Sequence, residues 1–435
     1  MTPDDLLARH RSVLPSWLPL YYDEPLEIVS GSGRRVTDAQ GRSYLDFFGG
    51  VLTNMLGYDI PEVREAIERQ LRTGVVHTST LYLIRAQVEL AEKIARLSGI
   101  PDPRVFFTTS GSEANEAALM FATNYRRSNQ ILAIRNSYHG RTYATMGITG
   151  NRGWSASGLS PLNVSYLHSG DRLRGLLAGL DDERHIEAAA ADLREVVATT
   201  TSGTVAALIA EPMQGVGGFV HGPDGLFSAY RKVLDEYGVL FISDEVQTGW
   251  GRTGEHFWGY QAHGIVPDLL TFAKGIGNGL ALAGVVGRAE IVESVQGISF
   301  STFGGNPLST AGGNAVLDYL LAHDLQANAR EVGRLLRDGL DEAVRRYPIV
   351  GDVRGRGLML AVEFVQPGGT EPNGYATTRV FEECRRGGLL VGKGGLYGNA
   401  LRIGPPLTLS AEEAREGLEI LTTAIAAVDR EGAPA

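Results

Sequence analysis

The sequence predicts an α/β enzyme with a large domain, whose mostly parallel sheet is covered by helices, and a smaller α+β domain. Three observations lead there. Between about residues 60 and 300, short apolar runs of β-forming residues alternate with amphipathic helical patterns, as they do where helices cover a parallel sheet. Each of those runs leads into a polar residue, and in open parallel sheets ligands sit beyond the carboxyl ends of the strands. From about residue 311 the pattern changes to a long helical stretch followed by separate strands and a last helix. The length of 435 residues and 43% hydrophobic content suffice for two or three globular cores.

Taken in order, the segment 1–60 carries strand-like pieces such as 44–48 and is expected to join the small domain. Pro61 starts a helix whose apolar residues Val63, Ile67 and Leu71 recur every four positions, and Gly74 stops it. Strands are expected at 105–108, 131–134, 205–210, 239–243 and 269–272, all within a large domain of 61–310. The small domain, 311–435, is expected to hold strands at 358–364 and 389–391, a final helix after Ser410 and a loose tail from Glu431.

Composition narrows the function. The chain has 40 basic and 50 acidic residues, a formal charge of −10, and neither sign gathers into long runs, which argues against nucleic-acid and membrane partners. Asp181, Asp182 and Glu183 read as solvated surface. Cys384 is the only cysteine, so neither an intrachain disulfide nor a thiolate metal cluster is available. The start Met1-Thr2-Pro3-Asp4-Asp5 is acidic where a signal peptide is basic, and no apolar run reaches membrane-spanning length. A mature, cytoplasmic protein is expected.

Three segments carry candidate chemistry. Thr109-Ser110-Gly111-Ser112-Glu113 lies between a strand and a helix running to about Arg127, so its free backbone N–H groups could hold a phosphate; the same residues could equally form a capping box with no ligand. Asp244 and Glu245 end an apolar strand, where a carboxylate needs a fixed cationic partner; the alternatives are a protonated pyridine nitrogen, a salt bridge or a metal, for which no histidine spacing offers ligands. Lys274 ends another apolar run and precedes Gly275-Ile276-Gly277-Asn278-Gly279. A desolvated lysine there can attack aldehydes, and the glycines admit a flat ligand, although a lone lysine is ordinarily a surface charge. Gly387 to Lys393 imitates a phosphate loop, but Gly394 stands where Ser or Thr must hold magnesium. Lys393 is a rival nucleophile outside the large domain.

With Ser110-Gly111-Ser112-Glu113-Ala114-Asn115-Glu116-Ala117, Asp244-Glu245-Val246-Gln247-Thr248-Gly249, Gly251-Arg252-Thr253-Gly254, Pro267-Asp268 and Ala273-Lys274-Gly275 in order, the chain resembles class III aminotransferases from about residue 20 onward. That resemblance implies the fold called type I and the cofactor pyridoxal 5′-phosphate, held by Lys274 as a Schiff base. It implies that Ser110, Gly111 and Ser112 hold the phosphate, that Tyr138 stacks on the ring with His139 and Gly140 following, and that Asp244 pairs with the ring nitrogen. Val246 packs on the opposite ring face and Gln247 meets the phenolic oxygen. Lys274 is also the proton carrier. Thr302 matches the threonine that reaches the neighbouring subunit's phosphate, which implies a homodimer or a tetramer. Metal is not implied.

For substrates, a small amino donor and an oxo acid acceptor, the resemblance assigns Arg402 to the α-carboxylate through a bidentate pair. Glu211, beside the cofactor, matches the glutamate that neutralises this arginine when the other substrate lacks that carboxylate. Arg141 matches an arginine for a distal carboxylate in enzymes of ω-amino acids; a buried structural arginine paired with an acid is the alternative. His77-Thr78-Ser79-Thr80, His256-Phe257-Trp258-Gly259 and the Thr302 to Pro307 stretch are most similar to the alanine–glyoxylate aminotransferase type 2 and phospholyase branch. That branch implies alanine with glyoxylate or pyruvate. A lyase that eliminates phosphate or ammonia from an amino substrate is the second reading. Gly57-Tyr58-Asp59-Ile60-Pro61 departs from the branch's Gly-His-x-x-Pro.

Overall fold

A computed structural model of the chain describes residues 5–431. Met1 to Asp4 and the tail at 432–435 lie outside the described residues, so the acidic start and most of the expected loose tail are not part of this description; Glu431 itself closes the last helix.

Strands β1 (Ile28–Ser32), β2 (Arg35–Asp38) and β3 (Ser43–Asp46) open the chain as an antiparallel meander. Strands β4 (Pro103–Thr108), β5 (Gln130–Ile134), β6 (Asn163–Leu167), β7 (Ala207–Ala210), β8 (Leu240–Asp244), β9 (Leu269–Phe272) and β10 (Ala283–Arg288) form one sheet in the order β4-β10-β9-β8-β7-β5-β6. Only β10 runs against its neighbours; the other pairings are parallel. Strands β11 (Val350–Arg356), β12 (Met359–Phe364), β14 (Gly392–Gly394) and β15 (Ala400–Ile403) form an antiparallel sheet, while β13 (Leu389–Leu390) lies parallel to β3.

The five strands expected in the large sheet are present, the one at 269–272 with both ends as expected and the others with ends shifted by at most two residues. Two more were not anticipated. β6 is a sheet edge with only Leu167 buried, so its apolar content is halved. β10 carries Gly284 and Gly287, which weaken a strand pattern. Both glycines are needed: a Cβ on Gly284 would stand 2.7 Å from the Phe272 ring and one on Gly287 would collide with Leu269. The aromatic and leucine side chains of β9 therefore lie across a β10 backbone without side chains at those points.

Strands β5, β7 and β8 are buried throughout, and alternation sends their side chains to two different cores. Ile131, Ala133, Ile209 and Ile242 pack with the helix Gly111–Arg126. Leu132, Leu208 and Phe241 pack on the other face with the helices Asp182–Thr200 and Leu226–Tyr237. Helices on both faces leave only the strand ends open, and this is where a ligand can approach.

The helix begun by Pro61 ends at Arg72, with Gly74 beyond it at φ +75°. The helical stretch after residue 311 divides into Pro307–Ala322 and Leu325–Arg346, with Asp324 between them in the left-handed region at φ +44°. An expected boundary at residues 310 and 311 thus cuts a continuous helix whose side chains pack against Pro61–Arg72 and Arg85–Ser98. Domain boundaries fall where few contacts cross, so we propose His323–Asp324 as the division instead. No helix among the described residues is long and apolar enough to cross a membrane.

Phe241→Ala should lower stability by about 3–5 kcal/mol, since its ring is buried where helices from two directions meet. The denaturant midpoint of the cofactor-loaded protein measures this, and a shift equal to that of a surface substitution would contradict the packing described.

Candidate active site

Five chain segments leave the parallel strands at one end of the sheet and surround a cavity of ≈ 400 Å³. Ser110, Gly111 and Ser112 follow β4, Tyr138 and His139 follow β5, Glu211 follows β7, Asp244 ends β8 with Val246 and Gln247 beyond it, and Lys274 follows β9; all line this cavity. Thr53, from the N-terminal segment, and Leu280 to Leu282 complete it.

Both readings of the segment after β4 hold at once. Ser110 caps the helix Gly111–Arg126 by accepting from the Glu113 N–H at 3.2 Å, and Glu113 Oε2 accepts from the Thr109 N–H at 2.8 Å. That leaves the N–H groups of Gly111 and Ser112 at the cavity wall, where the helix dipole favours an anion. The fit is close: a Cβ on Gly111 would lie 3.3 Å from both Val246 methyls, and one on Gly140, at φ +140°, would lie 2.6 Å from Ser112 Oγ. Ser112 Oγ itself accepts from the Arg141 N–H at 3.1 Å, joining the post-β5 loop to the helix.

Asp244, the last residue of β8, and Glu245 just beyond it part company because successive residues of extended chain point to opposite faces. Glu245 turns away and accepts from Thr248 Oγ1 at 2.5 Å and from the Gly259 and Tyr260 N–H groups at 2.8 Å each. Asp244 turns to the cavity. Its Oδ2 accepts from Asn115 Nδ2 at 2.8 Å and lies 2.8 Å from His139 Nδ1, and its Oδ1 accepts from the Val246 N–H at 3.1 Å. Asn115 Nδ2 also donates to the His139 carbonyl at 2.7 Å. The sequence motif contained Asn115 without giving it a role; the signal was a polar residue one turn after Gly111 on a helix face that is otherwise alanine and leucine, where a buried amide must find partners.

Lys274 stands at the cavity with its backbone in the left-handed region, φ +51°, a strained position for a side chain other than glycine. Burial lowers its amine from the ordinary lysine value to about 8, Asp244 and Glu211 oppose the shift, and Arg402 adds to it. Glu211 is pushed up to about 7 by burial, although the Tyr138 and Gly215 N–H groups donate to it at 2.9 and 2.7 Å.

Three expected residues stand elsewhere. Arg402, on β15, is buried, donates from Nε to the Lys393 carbonyl at 2.9 Å and lies 4.9 Å from the Phe48 ring centre. It forms no ion pair with Glu211; instead both bind Gly215, Glu211 through its N–H and Arg402 Nη1 through its carbonyl at 3.4 Å. Arg141 is exposed and has no carboxylate within 4.0 Å among the described residues, which removes the alternative of a buried, acid-paired arginine. Thr302 is exposed and outside its own chain's cavity. The rival Lys393 lies on β14, its amine 4.9 Å from the Phe381 ring centre and away from the cavity.

Pyridoxal 5′-phosphate fits these residues. An amine that loses its proton more readily than an ordinary lysine can meet its aldehyde, a buried carboxylate its ring nitrogen, and a helix N-terminus its phosphate. Buried Gln247 Oε1, His139 Nε2 and Asn115 Oδ1, at the same cavity, have no hydrogen-bond partner among the described residues. In the cofactor-stripped protein, modification of Lys274 by an amine-directed reagent should reach half its maximal rate at pH about 8, falling below that pH as the amine protonates. Peptide mapping against Lys274→Ala isolates this site, and a midpoint at the ordinary lysine value would contradict the desolvated environment.

Comparison with known proteins agrees with this geometry. Residues 21–425 match the family described as aminotransferase class-III. An alanine–glyoxylate aminotransferase 2 homologue, named as mitochondrial, from Arabidopsis thaliana is 40% identical over 94% of this chain and 85% of its own. A phospholyase from Arthrobacter, solved with phosphoethanolamine, has a TM-score of 0.88 and 36% identity over 97% of this chain and 99% of its own. An amine transaminase from an uncultivated Pseudomonas species, solved with PLP bound, has a TM-score of 0.88 and 32% identity over 95% and 98% of the two chains. The chain belongs to the class-III aminotransferases, enzymes of PLP fold type I that transfer amino groups with pyridoxal 5′-phosphate.

Proposed function

We propose that this aminotransferase works in two alternating half-reactions, taking the amino group of alanine or a small ω-amino compound and passing it to glyoxylate, pyruvate or 2-oxoglutarate. The carrying observation is the meeting of the Lys274 amine and the Asp244 carboxylate at the ends of adjacent strands, in a cavity that also contains a helix N-terminus. The Arabidopsis relative's name supports the alanine and glyoxylate pairing.

When bound, the cofactor supplies an electron-withdrawing ring that acidifies the hydrogen on the substrate's α-carbon. Ser110, Gly111 and Ser112 would hold its phosphate, and Tyr138 and Val246 would flank its ring. Asp244, fixed by Asn115 and His139, would pair with the ring nitrogen, and Gln247 would meet the ring's oxygen. Lys274 Nζ would take the proton from the substrate α-carbon and return it to the carbon on the far side of the transferred nitrogen, a task suited to an amine whose proton affinity is lowered towards neutrality. Arg402 grips the α-carboxylate. Since Arg402 and Glu211 meet only through Gly215, neutralisation of the arginine by Glu211 needs movement of that residue. Arg141, exposed and without an acid partner among the described residues, is available to a distal carboxylate.

Thr302 is assigned to the neighbouring subunit's phosphate in a homodimer or tetramer. Its exposure supports this, as do the exposed apolar side chains Ile298, Phe300 and Phe303 around it. A cytoplasmic location is proposed on the single, buried Cys384, which suits a reducing compartment.

The second reading, a lyase acting on an amino substrate, is supported by the Arthrobacter phospholyase. Incubating amines with the loaded enzyme and no oxo acid separates the two: a transaminase stops after one equivalent, and continued turnover would overturn our reading. Arg402→Ala should raise KM for α-oxo acids about a hundredfold. The half-reaction of an amine without a carboxylate should be spared, and equal damage to both would remove Arg402 from its assigned role.

A further inference from the structure

A second cavity, of ≈ 360 Å³, shares no residue with the first. It lies beyond the carboxyl ends of β5 and β6, between residues 168–176 of the large sheet's side and residues 395–399 of the small sheet's side. Three guanidinium groups line it: Arg354 pairs with Asp352 at 2.9 Å as well as with Glu363, while Arg174 shares Glu363 with it and donates from Nε to the Thr370 carbonyl at 3.0 Å. Glu363 accepts from Arg174, from Asn399 Nδ2 at 3.0 Å and pairs with Arg354 at 2.5 Å. Asp171 is occupied by the Leu173 and Arg174 N–H groups at 2.9 and 3.1 Å. Arg135 has no carboxylate within 4.0 Å among the described residues; its Nη1 lies 2.9 Å from His168 Nδ1, an arrangement that requires a lone pair on that ring nitrogen. Burial and the neighbouring Arg354 hold Arg174 below the usual arginine range. The rim is different in kind: Tyr397, Leu396 and Leu176 expose 57%, 48% and 77% of their surface beside these charges.

We infer that this cavity binds a small organic oxyanion, a carboxylate or phosphate ester on a flat apolar body, and that the bound anion adjusts the grip of Arg402 on substrate. The head takes Arg135 and Arg174 as charge-assisted donors, and the body lies against Tyr397 and the leucines. The connection to the active site is the strand-like turn 214–220. Arg354 Nε donates to the Gly218 carbonyl at 2.7 Å and Asn136 Nδ2 to that of Gly217 at 3.3 Å, on the side of the second cavity. On the opposite side Gly215 holds both Glu211 and Arg402. An anion that draws Arg354 towards itself loosens one support of that turn.

The test uses the cofactor-loaded enzyme, with phenyl phosphate, benzoate, inorganic phosphate and benzyl alcohol as probes in calorimetry and crystal soaking. Both aryl anions should bind at Arg135 and Arg174, and Arg135→Gln should weaken them about tenfold while the absorbance of bound cofactor stays unchanged. Phenyl phosphate binding without benzoate would assign the head to phosphate, and benzoate alone to carboxylate, either of which supports the site. Binding of benzyl alcohol, equal binding of inorganic phosphate, or density only at Arg402 would overturn it. Phenyl phosphate should also change KM for the α-oxo acid by about fivefold, an effect absent in Arg135→Gln. This coupling rests on the proposed role of Arg402, and the two fail separately. If Arg402→Ala leaves KM unchanged, that role falls while aryl-anion binding at Arg135 is still measured. If Arg135→Gln leaves binding unchanged, the second site falls whatever Arg402 does.

Discussion

A carboxylate taken out of water must be met by donors fixed in place, and Asp244 meets this condition with groups from three parts of the chain. Asn115 comes from the helix after β4, His139 from the loop after β5, and the Val246 N–H from its own strand's exit. Each donor is useful only if its element ends at the same height as β8. The parallel order of the sheet provides this, because every strand but β10 delivers its carboxyl end to the same side. The Asp244 charge in turn raises the proton affinity of Lys274 against the burial that lowers it, so one buried carboxylate shapes both the sheet's open end and the base within it.

Much of this was legible in the sequence because the signals were local. Thr109 to Glu113 carried its own cap chemistry, and apolar runs ending in Asp244 and before Lys274 located two strand ends. The alternation of Asp244 and Glu245 was legible too, yet it could not say which acid faced the cavity, since that depends on Thr248, Gly259 and Tyr260 folding back to occupy Glu245. Strand β10 was missed for a related reason: Gly284 and Gly287 make sense only against Phe272 and Leu269 of the neighbouring strand. The resemblance supplied Arg402 and Glu211 as a pair, but their junction through Gly215, in place of an ion pair, is a property of a turn closed by the Gln214 and Val220 bridge. Long-range partners leave no mark on linear spacing.

That turn has two faces with different chemistry. Gly215 must be small because Gln247 occupies the space where a side chain would stand, and Gly217 because Asn136 does. A segment of this kind transmits force through backbone carbonyls and N–H groups, whose positions change with small rotations about φ and ψ. Side-chain packing on either face can therefore be altered without erasing the connection between them.

The left-handed backbone at Lys274 sets fold stability against chemistry at a single residue. For the isolated chain, glycine would be the more comfortable occupant at φ +51°, and the strain of a side chain there is of the order of 1 kcal/mol or more. Selection for folding alone, whether in a laboratory library or in a gene released from its metabolic duty, would carry position 274 away from lysine. A lysine retained at this position in a divergent sequence would therefore be a record of continued use.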